Sequence, residues 1–330
     1  MPLLVHYEAG GGRATITLDS PHNRNALSPA LIAELSAALE TAIADDTVRV
    51  IVLTSAGAVF CSGLDLKSAG GPAAASAVAG SAVAGSAAAG SAAAGSAAAG
   101  SGPVGAFPEI LGRIWESPTP VIAAVRGPAR AGGIGLVAAC DLAVATESAT
   151  FAFTEVRLGL VPAVISVTVL PRLLPQAAHE LFLTGAVFDG ARAAAAGLVT
   201  AVVPDDELDA AVDRYVDLLA QGAPGALAAT KALLRSRSTG AGTGPLPAEF
   251  AAMAELSASH VGSAEGREGI RAFIEKRPPR WVPSPTSSTS STSSTNATSA
   301  AGDTGSAGYR GGVVRGWLDP DGTDGRGADG

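Results

Sequence analysis

The sequence predicts an α/β fold with a helical C-terminal region, and three observations carry that reading. Val48–Leu53 and Val121–Val125 are short, continuously apolar runs, the pattern of parallel strands covered on both faces. Helical periodicity intervenes between such runs, so strands and helices alternate along the first two thirds of the chain. From about Pro204 only helical periodicity remains.

Taken in order, Thr15-Ile16-Thr17-Leu18 alternates like a half-buried strand and enters the turn residues Asp19-Ser20-Pro21-His22-Asn23. Ser28-Pro29 is an N-cap followed by proline at the first helical position. Leu31, Ile32, Leu35, Leu39 and Ile43 then mark one face of a helix ending near Asp45. The strand Val48–Leu53 follows. Val121–Val125 runs into Gly127 and the pair Gly132-Gly133, with a small-residue helix over Leu136–Cys140. Leu142–Ala145 and Thr150–Phe153 read as further strands, and Leu208–Ala220, Gly225–Arg235, Ala248–His260 and Ser263–Glu275 as helices.

Two segments depart from globular composition. Residues 68–102 are almost pure Ala, Gly and Ser, with the pentapeptide Ala-Gly-Ser-Ala-Ala repeating between Ala79 and Gly102. Without large side chains such a repeat cannot offset its ordering entropy, so it reads as a flexible insertion. Residues 283–330, rich in Ser, Thr and Gly, read as a disordered tail. The expected division is a core over 1–200, a helical region over 201–282 and the tail.

A formal charge of −8 argues against general affinity for nucleic-acid phosphates or anionic membranes. Cys61 and Cys140 lack metal-type spacing, and His6, His22, His179 and His260 form no ligand signature. No apolar run is long enough to span a bilayer, and the first twenty residues carry no basic-then-apolar leader. A soluble cytoplasmic protein is expected.

Three loops could carry chemistry. In Phe60-Cys61-Ser62-Gly63-Leu64-Asp65-Leu66, small residues let amide N–H groups turn outward toward an anion or a polarised carbonyl oxygen. On spacing alone an ordinary strand-to-helix turn, capped by Asp65, is the simpler account. Gly127–Gly135 lies between a buried strand and a helix, where free N–H groups favour negative charge, or where glycines merely allow tight packing. It fits neither a dinucleotide fingerprint nor a triphosphate loop. In Phe151–Pro162 a single carboxylate, Glu155, stands in an apolar stretch. It is either a base with raised pKa or a helix-starting residue paired with Arg157.

Together and in this order, Asn25-Ala26-Leu27, Phe60–Leu66, Pro120–Gly127, Ala138–Asp141 and Leu158–Pro162 resemble the crotonase, or enoyl-CoA hydratase/isomerase, family over residues 5–282. The resemblance implies a spiral of ββα units whose helical end makes subunit contacts in a homotrimer or a dimer of trimers. It implies that the N–H groups of Leu64 and Gly132 form an oxyanion hole for an acyl-CoA thioester. Ser62 and Leu66 would flank the adenine end, with Gly63 and Asp65 in the same loop, and Lys67 would meet phosphates. Lys276 would contribute from a neighbouring subunit. Glu155 matches the second of two glutamates that place water in hydratases of the family, whereas Gly135 stands where the first is expected.

The context Glu155–Ser166 resembles glutaconyl-CoA-type hydratases, such as methylglutaconyl-CoA and isohexenylglutaconyl-CoA hydratases. Hydration of a glutaconyl-type or branched enoyl thioester is therefore the expected activity, with the substrate's distal carboxylate near Gly135 helping to orient water. The alternatives are a single-glutamate isomerase, another acyl-CoA reaction such as hydrolysis, and a non-catalytic acyl-CoA-binding protein. No metal or redox cofactor is expected, and coenzyme A enters only as part of the substrate.

Overall fold

A computed structural model describes residues 3–65, 106–238, 259–261 and 263–282. Leu66, Lys67, the Ala/Gly/Ser insertion, most of the expected helix Ala248–His260 and the 283–330 tail lie outside the described residues. A six-stranded sheet forms the centre, in the order β1 (Val5–Gly10), β2 (Arg13–Leu18), β3 (Val50–Ser55), β4 (Val121–Val125), β6 (Leu142–Thr146), β9 (Ala201–Val203). β1 and β2 are an antiparallel hairpin, and the remaining pairs are parallel. A second sheet is small: β5 (Ala129–Arg130) runs parallel to β7 (Thr150–Ala152), which pairs antiparallel with β8 (Phe188–Asp189).

The continuously apolar strands are buried on both faces, and alternation sorts their side chains. Ile51, Leu53, Val121, Ala123 and Val125 enter the main core beneath α1 (Pro29–Ala44) and α2 (Ala106–Glu116). Val50, Val52, Ile122, Ala124 and Val144 face the other way, against Leu208, Ala211 and Val212 of the late helix Leu208–Ala220. The cap expected for α1 is present, with Ser28 Oγ accepting from Leu31 N at 3.3 Å.

Several expectations are corrected. The main sheet continues through β9 to Val203, past the expected boundary at residue 200, because Ala201–Val203 extend the parallel ladder from β6. The first helix beyond that boundary covers this chain's own sheet. The helix expected over Leu136–Cys140 begins at Gly132, so the glycine pair forms its first turn. Three helices, α4 (Ala163–Val169), α5 (Pro175–Thr184) and α6 (Gly190–Ala196), stand between β7 and β9 where none was predicted. Among the described residues no helix is long and apolar enough to cross a membrane.

Candidate active site

Strand register assembles the site. Arg130 of β5 pairs with Ala152 of the parallel β7, so the chain leaves both strands at the same end of the small sheet. Gly132 follows two residues after Arg130 and opens α3 (Gly132–Ala139). Glu155 follows three residues after Ala152, in a 3-10 turn over Thr154–Leu158. Behind them Phe153 packs against Phe182 in a tilted arrangement with ring centres 4.2 Å apart, which anchors the strand that delivers Glu155.

The loop 60–65 is held from two sides. Cys61 bridges Ala129, and its carbonyl accepts from Arg130 N at 2.9 Å. On the other side Leu27 N donates to Gly63 O at 2.8 Å, while Asp65 N donates to Leu27 O at 3.3 Å. In such a parallel bridge the flanking residues make the bonds, so the N–H of Leu64 points away from Leu27. It donates to no described backbone carbonyl. Asn25 clamps the preceding turn, donating from Nδ2 to Ala56 O and Val59 O at 3.1 and 2.8 Å.

The second free amide is Gly132 N–H, at a helix start where intrahelical partners do not exist. Ala131 O accepts from Ile134 N and Gly135 N at 2.9 and 3.3 Å, while Ala131 N donates to Ala152 O at 3.2 Å. Ala131 itself has φ +47°, a conformation that costs an alanine about 1–3 kcal/mol. This strained residue turns the chain from β5 into α3 immediately before the free amide. Ala131→Gly is therefore expected to raise unfolding free energy by about 1 kcal/mol, read from urea melts. The two loops touch: a methyl group on Gly63 would lie 3.1 Å from Ala131 Cβ and 3.7 Å from Gly132 N.

Leu64 and Gly132 line one cleft, together with Ser62, Thr154 and Glu155 and otherwise mainly apolar side chains. Glu155 is the single ionisable side chain among those lining residues. Its Oε2 is buried and has no hydrogen-bond partner among the described residues. Burial pushes its pKa above the ordinary carboxylate value, opposed only by a hydrogen bond from its own backbone N–H. Arg157 does not pair with it; the guanidinium Nε reaches toward Thr184 O at 3.4 Å. A carboxylate whose pKa is raised thus shares one cleft with the residues that carry the two free backbone N–H groups.

Of the residues singled out from sequence, Ser62, Leu64, Gly132 and Glu155 come together on this cleft. Ser62 Oγ donates to Asn23 O at 3.2 Å. Gly63 packs behind against Ala131, and Asp65 is tied to Leu27. Lys276 is exposed in the turn after the helix Ala264–Ile274 and does not line the cleft. Gly135 is buried one turn into α3 and faces Ile165, with Leu111 beyond. Cys61 and Cys140 are buried, and burial drives each thiol up to about 12, which leaves neither as a thiolate nucleophile. Sequence reasoning missed the apolar lining, Phe107, Leu158, Leu160, Val161, Val164 and Ile165. The apolar run Leu160–Ile165 was its available signal.

The sequence model described as enoyl-CoA hydratase/isomerase matches residues 8–283. An enoyl-CoA hydratase from Mycobacterium avium is 41% identical, with TM-score 0.59 and coverage of 85% of this chain and 100% of that one. The crystal structure of Pseudomonas aeruginosa AtuE is 34% identical, with TM-score 0.71 over 84% and 99% of the two chains. Mouse mitochondrial methylglutaconyl-CoA hydratase is 31% identical over 281 residues, 83% of this chain and 80% of that one.

Proposed function

From the premise that this chain belongs to the enoyl-CoA hydratase/isomerase family and has the crotonase-type function of an enoyl-CoA hydratase, we propose that it adds water across a 2-enoyl-CoA double bond using one carboxylate. The observation that carries this reading is Glu155, whose Oε2 is buried and without a partner among the described residues, in the cleft that Leu64 and Gly132 also line. The thioester oxygen sits between Leu64 N–H and Gly132 N–H. Glu155 takes a proton from water as the oxygen bonds to C3, and the electron pair of the double bond moves onto the thioester as an enolate. The protonated Glu155 then returns that proton to C2, so one group serves as base and acid in turn.

The lining favours an apolar acyl group. Polar groups cluster at Ser62–Leu64 and Ala131–Gly132, whereas Leu158–Ile165 is almost entirely apolar, so the acyl chain lies along the latter. A branched apolar chain suits this wall. The distal carboxylate of a glutaconyl group would meet no cation among the described lining residues and would stand near Glu155. CoA enters only as part of the substrate, in a cytoplasmic enzyme. Exposed Val167, Leu170, Leu174, Leu183 and Val187, on or beside α4 and α5, support assembly as a trimer or paired trimers.

Isomerisation is the second reading, supported by the missing carboxylate at Gly135, since a single glutamate can move a proton between C2 and C4. The test offers crotonyl-CoA, 3-methylcrotonyl-CoA, 3-methylglutaconyl-CoA and a 3-enoyl thioester, with products identified by mass. Water gain with an apolar 2-enoyl thioester supports the proposal. Conversion of the 3-enoyl thioester alone, without water gain from any 2-enoyl substrate, selects the isomerase.

A further inference from the structure

Position 135 has no side chain, yet the space in front of it is not empty. A methyl group built on Gly135 would lie 2.6 Å from Ile165 Cγ2, 3.2 Å from Ile165 Cβ and 3.6 Å from Leu111 Cδ1. Ile165 Cγ2 is fixed to a β-branched carbon, so it cannot swing aside as the tip of a long chain would. Thr168 Oγ1, one turn further along α4, points to Gly135 O at 3.4 Å and keeps the helices in contact. Ile165 is 3% exposed and lines the same cleft as Glu155. Side chains at 135 and 165 therefore compete for one volume.

We propose that Ile165 determines substrate specificity: it fills the volume left free by Gly135 and closes the acyl part of the cleft with an apolar wall that selects short acyl chains. A carboxylate at 135 is thereby excluded sterically as well as absent. Shortening Ile165 opens the wall toward Gly135 and Leu111 and admits longer acyl chains. The proposal rests on the acyl-thioester reading above.

The test has two independent arms. In the first, calorimetry measures binding of the saturated thioesters butyryl-CoA and octanoyl-CoA to wild type, Ile165→Val and Ile165→Ala, which needs no turnover. The ratio of the two Kd values should move toward octanoyl-CoA by about 10-fold or more in Ile165→Ala, and by less in Ile165→Val, as expected when a pocket gains one or more methylenes of space. In the second, Tm is measured for Gly135→Ala in wild-type and Ile165→Ala backgrounds. Ala ordinarily improves a helix, but here overpacking should lower Tm by about 3 °C or more in the wild-type background and not in the other.

A wild type that binds both thioesters, with a chain preference unchanged in both Ile165 variants, overturns the proposal. So does a Gly135→Ala protein as stable as wild type. If wild type binds neither thioester, the acyl-thioester reading fails and the specificity role falls with it, while the melting arm still reports whether the two positions share space.

Discussion

Glu155→Gln is expected to lower kcat for hydration by about 10²–10⁴-fold, the range for losing a positioned acid–base group, while KM changes little. The amide keeps the shape of the side chain but cannot accept the proton from water or return it to C2. The same substitution should make the protein more stable. Burial raises the pKa of Glu155, so the folded state holds its proton more tightly than the unfolded chain. That preference contributes stability below the unfolded pKa and loses it as pH rises through the folded pKa. At neutral pH the buried charge is a net cost, which glutamine removes. Tm should therefore rise in the variant, by about 2–4 °C for each kcal/mol recovered, and the gain should fade as pH falls below the folded pKa. In wild type the acid limb of kcat/KM should lie above the ordinary carboxylate range, since the base works only when deprotonated.

Gly63→Ala is expected to reduce kcat by about 10²–10³-fold, comparable to removing one oxyanion donor. Gly63 has φ +90°, which an alanine adopts only under strain, and its methyl would press within 3.1 Å of Ala131 Cβ and 3.2 Å of Arg130 O. Relief must come from separating the two loops, which pulls Leu64 N–H away from Gly132 N–H. The loss should fall on kcat more than on KM if, as proposed, the two amides hold the thioester oxygen, since such donors act most strongly on the charge that develops during reaction. Circular dichroism and gel filtration distinguish this from failure to fold.

Both predictions concern residues readable from sequence, and the reasons are local. Val48–Leu53 and Val121–Val125 announce buried parallel strands because each is apolar on both faces, and Ser28-Pro29 announces a helix start. Glu155 stands out as a lone carboxylate in an apolar stretch. The parts that were not readable depend on pairing across the chain. β5 and β8 have two residues each, too short for any period. β1 is exposed along most of its length, so it shows no hydrophobic alternation. α4 and α6 have seven residues each and show little of a helical stripe.

The relation between Gly135 and Ile165 is the clearest case. An absent side chain at one position says nothing about what fills its place, and the residue that does lies thirty positions later on another helix. Gly135 read alone suggests an opening for a polar group or a substrate carboxylate. In the fold it is the back of an apolar wall.

Under the proposed function Glu155, the one carboxylate among the described residues lining the cleft, adds water to an enoyl thioester. The most direct test incubates wild type and Glu155→Gln with crotonyl-CoA in water labelled with heavy oxygen and weighs the product. One labelled oxygen should be incorporated by wild type and almost none by the variant over the same time. Equal incorporation by both proteins, or none by wild type under conditions where it shifts the double bond of a 3-enoyl thioester, would contradict it.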